Sequence, residues 1–241
     1  ALLGGVKPLR RAVLTGPLFG LFKKVLPAMS DTEREALEAG SVWWDADLFS
    51  GKPDWAKLLA YPQAKLTPEE QAFVDGPKEQ LCDLLDEWRI SDELMDLPPE
   101  VWKFIRDKGF LGIIIPKEYG GLGFSALMNH KVIQKLASIS SVVSSTVGVP
   151  NSLGPAELLM HYGTEEQKQQ YLPRLADGRE VPCFALTGPF AGSDATSIPD
   201  YGIVCQGEWN GAKVLGIRLT FDKRYITLAP VATLIGVAFR M

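Results

Sequence analysis

Between residues 67 and 178 the apolar positions recur every three or four residues, the spacing of a helix that buries one face. Leu81, Leu84, Leu85 and Trp88 follow it, as do Val101, Trp102, Ile105 and Phe110, and then Leu127, Val132, Ile133, Leu136 and Ile139. Polar start signals precede these runs. Thr67, Pro68 and Glu70 make a capping box with proline at the first helical position, Thr164 and Gln167 make a second box, and Ser125 opens the long helix between them. A helix through Leu158 and Leu159 is expected to end at Gly163, with His161 capping its C-terminal end. "LGIIIPKEYGGLGFS" reads as a short buried run followed by a glycine-broken loop. At residue 181 the period shortens to two. "VPCFALT", "GIVCQGEW", "AKVLGIRLTF" and "YITLA" are short, alternating segments, with Asn210-Gly211 as a hairpin turn.

This pattern predicts an α+β multidomain chain: an all-helical domain at 66–180 followed by an incomplete antiparallel β-domain at 181–241. Ahead of them lie a basic segment and a Trp-rich arm at 1–65. The arm ("SVWWDADLFSGKPDWAKLLAYPQ") carries Trp43, Trp44 and Trp55, which need a surface to cover. Residues 1–30 hold Lys7, Arg10, Arg11, Lys23 and Lys24 with no acid, interleaved with apolar residues. Such a segment suits an anionic membrane surface or a basic, partly ordered arm.

Composition narrows the function classes. The chain has 241 residues, 46% hydrophobic and 22% charged, with a net charge of only −4, which gives no footprint for nucleic acid. The longest apolar run, "ITLAPVATLIGVAF" at 226–239, is too short for a membrane span, contains Pro230, and is expected to form buried strands. Three scattered cysteines form no C-x-x-C pair and suggest a reducing compartment. Two histidines make a zinc site or a Ser-His triad improbable, and no metal is expected.

One stretch asks for more than a turn. "CFALTGPFAGSDA" at 183–195 sets Gly188, Pro189, Gly192, Ser193 and Asp194 directly after an apolar strand. Together with "IPKEYGGLGFS", "NSLG", "YGTEEQKQQYLPRLADG" and "KRYIT", in that family's order, it resembles the acyl-CoA dehydrogenase family across about residues 66–241. The arm and the "IPDYGIVCQGEWNGAKVLGIRLT" insertion resemble the long, membrane-associated bacterial form that acts in fatty acid β-oxidation.

The resemblance implies FAD-dependent oxidation of a fatty acyl-CoA to its trans-2-enoyl-CoA, with electrons passed to an electron-transfer flavoprotein or similar acceptor. It assigns Phe184, Leu186 and Thr187 to the flavin, Gly192 to a close backbone approach, and Ser193 to both FAD and the CoA portion of substrate. Tyr225 takes the family's tryptophan position against the ring and Thr227 its hydroxyl. Thr146 and Val149 take acyl-pocket positions, small Val149 admitting a long chain. The chain departs from the family at Gly188, where Glu is usual, and at Phe190, a bulky ring that either shields or obstructs the cofactor. The family's catalytic glutamate is expected beyond Met241, so residues 1–241 are expected to be an N-terminal fragment, inactive alone, with weak FAD affinity. A full-length homo-oligomer at the cytoplasmic face of the bacterial plasma membrane is the implied setting. Two alternatives stay open: an acyl-CoA oxidase, and a non-catalytic acyl-CoA or membrane-binding scaffold.

Overall fold

The computed structural model describes residues 5–29, 34, 37–40, 43–152 and 154–241, apart from the side chain of Thr196. Residues 1–4, 30–33, 35, 36, 41 and 42 of the expected segment and arm, and Leu153 of "NSLG", lie outside the described residues. The chain divides into two compact units, Ala1–Pro62 and Gln63–Met241.

In the first unit, helix α1 (Lys7–Arg10), a π-type stretch (Arg11–Thr15) and α2 (Gly16–Val25) follow without a break. Pro8 and Pro17 fall in the first turns of α1 and α2, where a missing N–H costs least. Leu18, Phe19, Leu21, Phe22 and Val25 are all exposed on α2, whose last turn carries Lys23 and Lys24. Among the described residues, no helix is long and apolar enough to cross a membrane. Helix α3 (Asp45–Phe49) and helix α4 (Trp55–Leu59) follow, α4 capped by Asp54. Within the arm the Trp44 ring meets that of Trp55 at 5.0 Å, and its Nε1 donates to the Asp54 carbonyl.

The second unit opens with α5 (Pro68–Asp75), α6 (Pro77–Asp83) and α7 (Pro99–Asp107). Helices α8 (Ala126–Ala137), α9 (Ser141–Gly148), α10 (Pro155–Tyr162) and α11 (Glu165–Ala176) complete it. The expected caps form: both capping boxes close, and the Ser125 hydroxyl accepts from the Met128 amide. Leu81, Val101, Ile105, Phe110, Met128, Val132 and Leu136 pack into one core. Ile115, Ala156, Leu172 and Leu175 form a second.

Two local expectations are corrected. The stripe does not continue through Leu84 and Trp88, which are 42% and 67% exposed. Helix α6 stops at Asp83 and the chain re-enters as a π-type turn at Arg89–Leu94, which shifts the phase. His161 does not cap α10. Its Nε2 lies 3.0 Å from Glu157 Oε1, one turn back, while the Gly163 amide donates to the Leu159 carbonyl.

The glycine-broken loop folds back on residues 112–115. Leu122, Phe124 and Gly123 donate to the carbonyls of Gly112, Ile113 and Ile115, each at 2.9 Å. Gly121 is required there, because a Cβ would sit 2.1 Å from the Ile115 oxygen. The loop's end is held by buried Glu70, which accepts from the Ser125 amide at 2.6 Å and the Thr67 amide at 2.8 Å. Ser125's side chain is the main cause, opposed by burial, of a Glu70 carboxyl lowered from 4.5 to about 2; the Thr67 and Ser125 amides add to it.

Four strands follow: β1 (Pro182–Ala185), β2 (Tyr201–Trp209), β3 (Ala212–Thr220) and β4 (Leu234–Val237). Strands β2 and β3 are an antiparallel ribbon turned by Asn210 and Gly211, both at positive φ, the requirement of a tight hairpin turn. Strands β1 and β4 pair in parallel, Pro182 opposite Leu234. "YITLA" is not a strand. Tyr225 and Leu228 take left-handed backbone conformations (φ 58° and 67°) and residues 227–231 are turns. Within 226–239, only Leu234–Val237 is extended in a ladder.

Candidate functional site

The loop after β1 is fixed from both sides. Gly188 donates to the Ala191 carbonyl at 3.1 Å, closing a tight turn with Phe190 at its tip. On the other side, Lys223 Nζ donates to the Leu186 carbonyl at 2.9 Å and the Arg224 amide to the Thr187 carbonyl at 3.0 Å. Gly188 fits because this approach is close: a Cβ there would lie 3.0 Å from the Asp222 oxygen. Among the described residues, the Thr187 amide and hydroxyl have no hydrogen-bond partner. They are free donors on a braced loop.

A cleft of about 490 Å³ opens beside α8 and α9, lined by Asn129, His130, Ile133, Ser145, Val149 and Thr227 among others. The structure therefore brings Val149 and Thr227 together, although they are far apart in sequence. Asn129 Nδ2 donates to the Asn151 carbonyl at 3.0 Å, while its Oδ1 is buried without a partner. A buried acceptor left unpaired is costly. Among the described residues, no acid lines the cleft.

The other expected site residues are placed as follows. Phe184 is half-buried in β1, opposite Gly236. Leu186 and Thr187 are half-buried on the braced loop. Gly192 and Ser193 are exposed, and a Cβ on Gly192 would meet nothing within 4 Å, so the backbone there is open to approach. Thr146 is buried and its hydroxyl donates to the Val142 carbonyl one turn back; it does not line the cleft. Tyr225 is 90% exposed and Phe190 is 86% exposed.

Three residues escaped the sequence reading. Asp200 and Lys223 form an ion pair at 2.6 Å, their side chains 2% and 5% exposed. Lys223 was in plain view inside "KRYIT", yet a lysine in an alternating segment reads as solvated. Asn151 is buried, donating to the Phe110 and Val147 carbonyls and accepting from the Ile114 amide. It joins the floor of the cleft to the glycine-broken loop.

A helical domain followed by short strands, with a braced glycine loop and a cleft beside α8 and α9, is the architecture that comparison with known proteins places. Residues 67–179 match the family model described as acyl-CoA dehydrogenase, N-terminal domain. The helical part of the chain is thus similar to the N-terminal domain of acyl-CoA dehydrogenases. An acyl-CoA dehydrogenase of Bacillus subtilis is 34% identical over 145 residues, which is 59% of this chain and 38% of that protein. The glutaryl-CoA dehydrogenase structure from Mycobacterium smegmatis superposes with a TM-score of 0.58 at 27% identity, covering 73% of this chain and 43% of that one. The FAD complex of the Bacillus anthracis acyl-CoA dehydrogenase has the same fold, with a TM-score of 0.60 at 24% identity over 74% of this chain and 30% of that one. The chain thus spans less than half the length of each of these relatives.

Proposed function

We propose that this chain supplies the helical wall and the first cofactor loop of an FAD-dependent fatty acyl-CoA dehydrogenase acting in β-oxidation. The observation that carries the reading is the braced loop whose free Thr187 amide and hydroxyl adjoin the segment that sends Thr227 into the cleft beside Val149. Unpaired donors on a rigid loop are what a flavin's carbonyl and ring-nitrogen acceptors require. Phe184, Leu186, Thr187, Gly192, Ser193, Tyr225 and Thr227 would hold FAD, Ser193 would also meet the CoA portion, and Val149 would shape the acyl pocket. When bound, FAD supplies the two-electron acceptor for a hydride from the acyl β carbon as a base takes the α proton. The residues present position and exclude water. With no acid on the cleft wall among the described residues, residues 1–241 alone are proposed to turn over no substrate.

The first unit supports a setting at the cytoplasmic face of a bacterial membrane. Its apolar residues are exposed along α2 beside Lys23 and Lys24, the composition of a helix lying on anionic lipid. An electron-transfer flavoprotein is the proposed acceptor, and the full-length protein is proposed to be a homo-oligomer.

Equilibrium dialysis of the chain against FAD tests the cofactor reading. Retained flavin that falls in Thr187→Val supports it; no retention at any FAD concentration refutes it. In full-length protein, palmitoyl-CoA should bleach the flavin without forming peroxide, and peroxide would assign an oxidase instead.

A further inference from the structure

We propose that the Asp200–Lys223 ion pair is a positioning device, which orients the peptide joining Leu186 to Thr187 so that the Thr187 amide faces the cofactor. This rests on the flavin reading above. Lys223 Nζ makes two bonds, to Asp200 Oδ2 at 2.6 Å and to the Leu186 carbonyl at 2.9 Å. Asp200 Oδ1 accepts from the Asp222 amide at 2.8 Å, and its backbone carbonyl accepts from the Arg240 amide at 2.9 Å. The pair thus ties four stretches of chain together, at Leu186, Asp200, Asp222–Lys223 and Arg240. Both side chains are almost fully buried, so neither is available to touch a ligand.

The geometry of the peptide group carries the inference. In a planar trans peptide the C=O and the next N–H point in opposite directions. Pinning the Leu186 oxygen toward Lys223 therefore directs the Thr187 N–H away from Lys223. The next carbonyl, that of Thr187, is pinned by the next residue, Arg224. Consecutive residues of one segment hold consecutive carbonyls of the other. The Thr187 amide is left facing the opposite side, and there it has no partner among the described residues.

Stability alone gives weak reason for such a pair. Well-packed apolar residues in place of a buried ion pair are often as stable or more so. That equivalence yields the test. The double variant Asp200→Leu/Lys223→Met removes both charges together and leaves none unpaired, whereas Lys223→Arg keeps the charge and the donors. Wild type and both variants are titrated with FAD by fluorescence quenching, with circular dichroism reporting folding. Amide hydrogen exchange on the wild type follows Thr187 and Arg224.

The expected result is a folded double variant that binds FAD roughly ten- to a hundredfold more weakly, the loss of one or two strong hydrogen bonds, with Lys223→Arg near wild type. The wild-type Arg224 amide should be protected before FAD is added and the Thr187 amide only afterwards. A folded double variant with unchanged FAD affinity overturns the positioning role and leaves the flavin reading intact. A wild type that binds no FAD overturns both. If the double variant does not fold, the exchange experiment decides: an unprotected Arg224 amide in the free chain, or a Thr187 amide indifferent to FAD, overturns the proposal.

Discussion

Glu70 allows a pH prediction with a worked magnitude. Its carboxylate is 3% exposed and receives the Ser125 and Thr67 amides at 2.6 and 2.8 Å. Its folded pKa lies near 2 against an ordinary 4.5. Because the folded value is depressed, the stabilisation is complete above the unfolded pKa and disappears as pH falls toward the folded one. A displacement of that size is worth about 3 kcal/mol. Linkage then puts the loss at about 0.2 kcal/mol by pH 5, about 0.8 by pH 4 and about 2 by pH 3. Other carboxylates titrate in the same window, so the informative quantity is the difference between wild type and Glu70→Gln. Urea unfolding of both proteins from pH 7 to pH 3 measures it. The variant should be less stable by about 2–3 kcal/mol at pH 7, and the gap should close by about 2 kcal/mol at pH 3. The gap should also be insensitive to salt, since hydrogen bonds dominate it. Parallel pH curves for the two proteins would refute the reasoning.

Three further outcomes are expected. Asn151→Ala removes three hydrogen bonds from a buried site and should lower the urea midpoint by the equivalent of about 2–4 kcal/mol, with enhanced amide exchange at Ile114. Val149→Trp fills part of the cleft, and in full-length enzyme should move the ratio of kcat/KM values toward shorter acyl chains; an unchanged profile counts against the pocket assignment. Lys23→Glu/Lys24→Glu reverses two charges on α2 and should weaken flotation with phosphatidylserine vesicles by about a hundredfold or more, given about 1 kcal/mol per basic residue near such a surface. Equal flotation of variant and wild type would exclude an electrostatic membrane contact.

Local chemistry was legible in the sequence and long-range chemistry was not. Thr67, Ser125 and Thr164 announce their helices because a cap and its partner lie three residues apart. Asn210-Gly211 announces its hairpin for the same reason. Glu70 was readable as a capping residue, but its bond to the Ser125 amide spans 55 residues and leaves no mark in a local window. "YITLA" alternates like a strand, yet Lys223 and Arg224 are engaged with the loop after β1, and the chain turns through left-handed Tyr225 and Leu228. The loop after β1 was recognisable from its glycines and its order among the other motifs. What holds it, a lysine and an aspartate separated by 23 positions, became visible only in the fold.

The parallel pairing of β1 with β4 sets an order of events during synthesis. The β2–β3 ribbon lies between them in the chain and closes across a two-residue turn, a contact that forms in microseconds. Strand β1 finds its partner only once Leu234–Val237 have left the ribosome, and the bonds to Asp200 reach as far as Arg240. Residues 186–188 are therefore translated early and organised late. Until then the apolar flank of β1 has no neighbour on that side, and a pause in translation between Thr220 and Leu234 would prolong its exposure to chaperones and to aggregation.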